Sequence, residues 1–222
     1  MSVKDRKKIF FLEANIGACK TTLLVNLKKQ GYTIFEEPLD IWKERYCEKN
    51  GSNILGLFYT DMGRWSFDFE VMAFVTRKQQ LKNALADPSQ VVIIERSLYT
   101  DRRTFALNLY RNGFITEMQW KIYDDFFWSM MEEVKRYFAE ADCYYLYINT
   151  DANTCWDRKN NRDRKEEKTM IPEYILQLDA TLKDWLTDAD TEFPVLTIDG
   201  HQDEAGVLSH AMTIIGPVDV KI

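Results

Sequence analysis

Apolar residues along this chain gather into short runs separated by longer stretches of helical periodicity. The runs Lys8–Glu13, Tyr32–Glu36, Val91–Glu95, Tyr144–Asn149 and Val195–Ile198 are rich in β-branched and aromatic side chains. Runs this short, with little alternation between polar and apolar positions, predict strands buried on both faces of a parallel sheet. Between them, Thr21–Gln30, Trp65–Ala86, Glu117–Ala139 and Pro172–Thr187 repeat apolar residues three and four positions apart, which predicts helices with one face on a core. Strands alternating with helices imply βαβ units, and so an α/β fold with a central parallel sheet of about five strands flanked by helices. No repeat or low-complexity tract interrupts the pattern, and residues 1–222 are expected to form a single domain of ordinary size.

The two longest predicted helices carry more aromatic and methionine residues than one buried stripe needs: Phe67, Phe69, Met72 and Phe74 in the first, and Trp120, Tyr123, Phe126, Phe127, Trp128, Met130 and Met131 in the second. Core packing accounts for most of them; the remainder would serve a dimer interface or a ligand pocket. No apolar stretch approaches the roughly 20 residues that cross a bilayer. The charged start is followed only by a strand-length apolar run, so neither membrane insertion nor a signal peptide is expected. A net charge of −6 argues against nucleic acid as a partner, because binding along a phosphate backbone calls for a basic excess. The four cysteines show neither CxxC spacing nor a paired framework, which points to a reducing compartment, the cytoplasm, and to no structural zinc.

Three places concentrate chemistry. Ala14-Asn15-Ile16-Gly17-Ala18-Cys19-Lys20-Thr21 follows the first strand and opens a helix, the position of a phosphate-binding loop. There Lys20 would reach the β- and γ-phosphates, and Thr21 would ligate or orient Mg²⁺. The pattern wants glycine where Ala14 and Cys19 stand, so on its own the segment reads equally as an ordinary strand–turn–helix. Glu36-Glu37-Pro38 and Glu95-Arg96-Ser97 follow the second and third strands, at the sheet edge where α/β proteins bind ligands. A carboxylate there can take a proton from an attacking hydroxyl, and an arginine can neutralise a transferred phosphoryl group; singly, each is as readily a surface pair or helix-start charge. Finally, Arg158, Arg162 and Arg164 precede Glu166 and Glu167. Alone they describe a solvated charged helix; beside a phosphate loop they describe a lid over about residues 158–170, with Arg158 and Arg162 on one helix face. His201 and His210 lack partners at metal-ligand spacing and are read as surface or loop residues.

In this order the motifs make the chain resemble the deoxycytidine/deoxyguanosine kinase branch of the deoxynucleoside kinase family over nearly its whole length. LEANIGACKTT is similar to the phosphate loop, FEEPLDIW to the segment bearing the general base, and LFYTDMGRWSFDFE to the nucleoside-binding stretch; ERSLYTDRRTFA and RKNNRDRKEE are similar to the second catalytic motif and the lid. The resemblance implies a P-loop kinase-like three-layer fold with an arginine-rich lid. It also implies a homodimer and transfer of the γ-phosphate of ATP, or another nucleoside triphosphate, with Mg²⁺, to the 5′-hydroxyl of a deoxynucleoside. Glu37 matches the general base, Arg96 the arginine beside the reacting phosphate, and Thr21 with Glu95 the magnesium neighbourhood, directly or through water. The phosphates would be held by Ala14 through Thr22 with Arg158, Arg162 and Arg164, while Asp203 lies in the segment that contacts the donor base. Ile16, Trp42, Leu55, Phe58, Tyr59, Phe69, Glu70, Arg77, Arg96, Asp101, Phe105 and Glu167 match nucleoside-pocket positions. Of these, Tyr59 and Glu167 would hold the sugar 3′-hydroxyl and Phe105 would stack on the base.

The chain departs from the family pattern at five places. Ala14 and Cys19 replace glycines, which implies backbone strain at each and a working but slower enzyme. Glu70 stands where the family has glutamine; an ionised carboxylate only accepts hydrogen bonds, which suits the N1–H and amino group of guanine and implies a bias to deoxyguanosine. Alternatively Arg77, two turns along the same helix, neutralises Glu70 and leaves base choice to Asp101. Arg77 with Asp101 is the family combination that favours purines and cytosine over thymine. Asp163 replaces a lid glycine, and one extra residue lies between Glu167 and Ile171, which implies altered lid behaviour. Two other readings stay open: a catalytically impaired relative acting as a nucleotide-binding or assembly subunit, and a nucleoside monophosphate kinase.

Overall fold

The computed structural model describes residues 6–217. Strand β1 (Lys7–Ala14) is the centre of a five-stranded sheet in the order β2-β3-β1-β4-β5, every pairing parallel, with β2 at Thr33–Phe35, β3 at Val91–Glu95, β4 at Ala141–Asn149 and β5 at Val195–Asp199. From Ile9 to Ala14 every residue of β1 is buried, because helices cover both faces and leave no side of the strand for water. The expected α/β fold with a parallel sheet is therefore present. Strand β4 begins earlier than its apolar run: Ala141 through Cys143 pair with Lys7 through Ile9, so partner register extends the strand past its pattern.

Helix α1 (Lys20–Lys29) follows β1. Short α2 (Leu39–Glu44) and α3 (Ile54–Thr60) lead into the long α4 (Met62–Ala86), with α3 capped by Asn53 and α4 by Asp61. After β3 the chain makes one turn of helix, α5 (Leu98–Thr100), then a π-helical stretch at Asp101–Ala106, then α6 (Leu107–Arg111). A π-helical turn disturbs the regular ladder, and such turns recur at functional sites. Helix α7 (Glu117–Phe138) starts on a capping box of Thr116 with Gln119, α8 (Ala152–Arg162) on the Asp151 carboxylate, and α9 (Pro172–Leu186) on a proline in its first turn. Helix α10 (Glu204–Ile215) closes the described chain. The short helices, the π segment and α10 are absent from the periodicity reading. All five strands end on one rim, and the segments following β1, β2, β3 and β4 converge there.

Candidate active site

The phosphate-loop segment turns from β1 into α1 through two left-handed residues, Gly17 at φ 86° and Cys19 at φ 63°. Glycine is required at 17 on two counts, since a β-carbon there would also overlap the backbone carbonyl of Cys155 in α8. Cys19 is the strained position, because L-residues pay for the left-handed region. Ala14 is not: it ends β1 without a positive φ and is fully buried, which corrects the expectation of strain at both sites. Asp163, ending α8, is left-handed at φ 47°, so the absent lid glycine is a second place where a side chain occupies glycine's conformation. The Lys20 ammonium donates to the carbonyls of Ala14 (3.4 Å) and Asn15 (3.1 Å). Burial, with help from the neighbouring Arg96, brings its pKa down to about 8, while Glu95 and Glu37 act the other way.

Glu37 is the hub of the charged groups. Its carboxylate pairs with Arg77 from α4 and lies 3.5 Å from the Arg96 Nε, and its backbone N–H donates to Glu95 at 3.0 Å. Burial pushes the Glu37 carboxyl up, but Arg77, Arg96 and Lys20 outweigh it and hold the group ionised below the usual glutamate value. Burial and then Glu37 push Glu95 the other way, upward. The other end of the Arg77 guanidinium binds Asp101, a fully buried residue at the start of the π segment. Arg77 thus spends itself on Asp101 and Glu37 and makes no ion pair with Glu70, contrary to the alternative that it neutralises Glu70.

A cavity of about 290 Å³ opens on this rim. One end holds Gly17, Cys19, Lys20, Thr21, Thr22, Glu37, Glu95 and Arg96; the walls are Ile16, Trp42, Leu55, Phe58, Tyr59, Phe69 and Phe105, with Glu70 and Arg77 among them; Arg158, Arg162, Arg164 and Glu167 border it from the lid. Phe58 and Phe69 stack at 4.5 Å, and Trp42 meets Phe69 edge-on at 5.3 Å, which leaves flat apolar surfaces suited to a planar ring. Arg96 lies over the ring of Phe105 at 4.7 Å. Burial, then Glu167 and Glu37, raise the Tyr59 hydroxyl far above the tyrosine range, so it stays a neutral donor. The lid rests on the rest of the cavity: Glu167 receives Arg162 (2.5 Å) and Arg164 (2.9 Å), Glu166 pairs with Lys43 of α2 at 3.1 Å, and Thr169 donates to the Tyr59 carbonyl at 2.8 Å.

Among the described residues no three His, Cys, Asp or Glu groups form a closed metal site. Mg²⁺ binds through one or two protein oxygens and completes its shell with phosphates and water. The Thr21 hydroxyl and Glu95 carboxylate, both at the Lys20 end of the cavity, fit that habit.

Residues 10–218 match the deoxynucleoside kinase family. The chain belongs to that family. Its curated relatives include a probable deoxycytidine kinase of fowlpox virus (33% identical, covering 91% of this chain and 83% of the relative) and the mitochondrial deoxyguanosine kinase of Xenopus laevis (30%, 86% and 81%). The mitochondrial thymidine kinase 2 of Macaca fascicularis is also similar (28%, 86% and 69%). Three different bases appear in those names, so membership of the deoxynucleoside kinase family leaves the base open.

Several residues named from this kinase resemblance lie outside the cavity wall. Ala14 and Ala18 are buried beneath the loop; Ala14 offers its carbonyl to Lys20 and, at 3.1 Å, to Arg96. The Asn15 side chain donates to the Ile175 carbonyl of α9 and accepts from the Ile16 N–H, so it braces the loop. Asp101 acts from behind through Arg77. Asp203 caps α10 by accepting the Gly206 N–H at 2.8 Å, and lines a neighbouring hollow with Cys19, Thr22, Arg158 and Gly200. His201 is exposed, flanked by Asp199 and Asp151. Sequence reasoning missed Leu39 and Tyr174 in the wall. It also missed Glu13, a fully buried carboxylate that accepts the Ser97 N–H (2.8 Å) and the Thr100 hydroxyl (2.5 Å). Because Arg96 precedes Ser97 and is itself left-handed at φ 65°, Glu13 and the Ala14 carbonyl hold its backbone and side chain from one strand end. An acidic residue inside an apolar strand was the available signal.

Proposed function

We propose that the chain transfers the γ-phosphate of ATP to the 5′-hydroxyl of a deoxynucleoside, taking purine or cytosine nucleosides ahead of thymidine. What carries this reading is one juxtaposition: Lys20, Glu37, Arg96 and the three lid arginines border the same cavity, whose other walls are aromatic. Phosphoryl transfer asks mainly for in-line positioning and charge neutralisation. Glu37, held ionised, is the acceptor of the hydroxyl proton; Arg96 and Lys20 stabilise charge on the moving phosphoryl group. Arg158, Arg162 and Arg164 enclose the donor phosphates as the lid closes, and Tyr59 and Glu167 take the sugar hydroxyl. Closure requires Arg162 and Arg164 to exchange Glu167 for phosphate, and water leaving the cavity strengthens each charged contact. Mg²⁺, held by Thr21 and Glu95 with the phosphates, supplies further neutralisation.

The acceptor is read as a nucleoside and not its monophosphate, because the ionised Glu37 disfavours an acceptor phosphate and the neighbouring Arg77 is already paired with Glu37 and Asp101. A bias to deoxyguanosine needs Glu70 ionised, which its burial opposes at neutral pH. The reason to favour an impaired relative is strain where the family has glycine, at Cys19 in the phosphate loop and at Asp163 in the lid. One panel decides among these readings: deoxynucleosides and deoxynucleoside monophosphates with ATP and Mg²⁺, alongside Lys20→Ala and Glu37→Gln. Phosphorylation of nucleosides that both substitutions abolish supports the proposal; turnover of monophosphates alone, or none at all, refutes it.

We further propose one folded unit over residues 1–222, acting in the cytoplasm as a homodimer. Val75 on α4 and Met118 and Ile122 on α7 are exposed apolar groups on the two long helices, and a second copy would cover them. Among the described residues no helix is long and apolar enough to cross a membrane. Sedimentation of the wild type beside Ile122→Glu tests the dimer.

A further inference from the structure

Glu70 is 1% exposed, lies in the cavity wall, and neither of its carboxyl oxygens has a hydrogen-bond partner among the described residues. A carboxylate left so would be costly, since charge removed from water needs a paired cation. The neighbouring cations are engaged elsewhere: Arg77 on the same helix with Asp101 and Glu37, and Arg96 after β3 with Glu37 and the Ala14 carbonyl. The remaining titratable groups that face it are Glu37 itself, the Tyr123 hydroxyl of α7 and the Tyr174 hydroxyl of α9. Both hydroxyls are buried without partners among the described residues too, and neither supplies positive charge. The flat walls of Phe58, Phe69 and Trp42 stand beside it, and a planar base lying along them presents its edge to Glu70.

We propose that Glu70 selects the base through its own protonation state, admitting cytosine or adenine as a carboxylic acid and guanine as a carboxylate. The proposal rests on the reading of the chain as a deoxynucleoside kinase. A neutral carboxyl offers one donor and one acceptor side by side. Cytosine answers with its N3 lone pair and N4 amino group, and adenine with a ring nitrogen and its N6 amino group. Guanine presents N1–H and N2–H together, two donors, which a neutral acid can satisfy only at one oxygen and a carboxylate at both. Thymine also carries a donor beside an acceptor, so Glu70 by itself does not reject it. Burial brings the carboxyl pKa up to about 8, against the pull of Arg77 and Arg96, so the exchange falls inside a range an assay can cross.

The test is competition between deoxycytidine and deoxyguanosine, with ATP and Mg²⁺, from about pH 6 to about pH 8.5, reading kcat/KM, which reports ionisation of the free enzyme. For the wild type the ratio of deoxyguanosine to deoxycytidine should climb by up to about tenfold per pH unit below the Glu70 midpoint. In Glu70→Gln, whose amide keeps one donor and one acceptor at every pH, the ratio should be flat and should favour deoxycytidine. A wild-type ratio that stays flat while turnover is normal overturns this inference and leaves the kinase reading standing. A slope that persists unchanged in Glu70→Gln also overturns it, by assigning the titration to another group. A chain that phosphorylates neither nucleoside removes both readings together.

Discussion

Replacing Cys19 by glycine should stabilise the protein, and the same replacement at Ala14 should weaken it, although the phosphate-loop pattern places glycine at both. Cys19 holds φ 63° and ψ 24° at the start of α1, with no side-chain cap for the helix. A left-handed L-residue costs about 1–2 kcal/mol, against which glycine adds about 0.5–1 kcal/mol of unfolded-chain entropy. The difference leaves a net gain of roughly 0.5–1 kcal/mol, or about 1–4 °C in Tm for a domain of this size. Ala14 has no positive φ to relieve and its methyl is fully buried. There the entropy term stands alone and the lost methyl adds about 0.8 kcal/mol, so Ala14→Gly should cost about 1.5 kcal/mol and lower Tm by roughly 3–6 °C. Gly17→Ala should be worse than either, because its β-carbon would enter the Cys155 carbonyl. Thermal and urea unfolding of the four proteins without nucleotide reads the order directly. If the two glycine substitutions shift Tm in the same direction, the assignment of strain to Cys19 alone is wrong.

Further outcomes follow from the buried charges. Lys20 has its pKa lowered from 10.5 to about 8, so between those values the folded protein binds fewer protons than the unfolded chain and stability should rise with pH across that window. The rise, on the order of 3 kcal/mol at most, should be missing from Lys20→Met in pH-dependent urea titrations; equal slopes in both proteins would exclude Lys20 as its source. Asp101→Ala strips a buried partner from Arg77 and should cost about 3 kcal/mol or more in urea unfolding, so a loss below about 1 kcal/mol would mean Glu37 alone suffices for that guanidinium. Glu13→Leu removes the acceptor that fixes Ser97 behind Arg96 and should lower kcat about tenfold or more, with a smaller change in the KM for ATP. Glu13→Gln, which keeps an acceptor oxygen, should recover most of the loss. Kinetics in which both variants behave alike, or in which only KM moves, would reduce Glu13 to a packing role.

Legible in the sequence were the order of the five strands and of four helices between them, the site of the phosphate loop and the grouping of charged motifs at strand ends. Those features are local: a run of five or six apolar residues buried on both faces, or Lys20-Thr21 at the turn into a helix, carries its signal within a few positions. The left-handed state of Cys19 was also legible, because the motif reserves glycine there for its backbone angle. Ala14 was not, because only the structure shows that it ends β1 without a positive φ. Tertiary structure alone decided the pairings. Glu70 and Arg77 share a helix face, yet Arg77 reaches Asp101, from an element far along the chain, and Glu37 from another strand end. Helix α10 was obscured for a related reason: Asp203, read as a ligand contact, also caps that helix by accepting the Gly206 N–H. Charge in a folded interior is assigned by distance and burial together, and neither quantity is written in spacing along the chain. That is why the loop of this kinase could be located from its residues, while the protonation proposed for Glu70 could be reasoned about only once its unpaired oxygens were known.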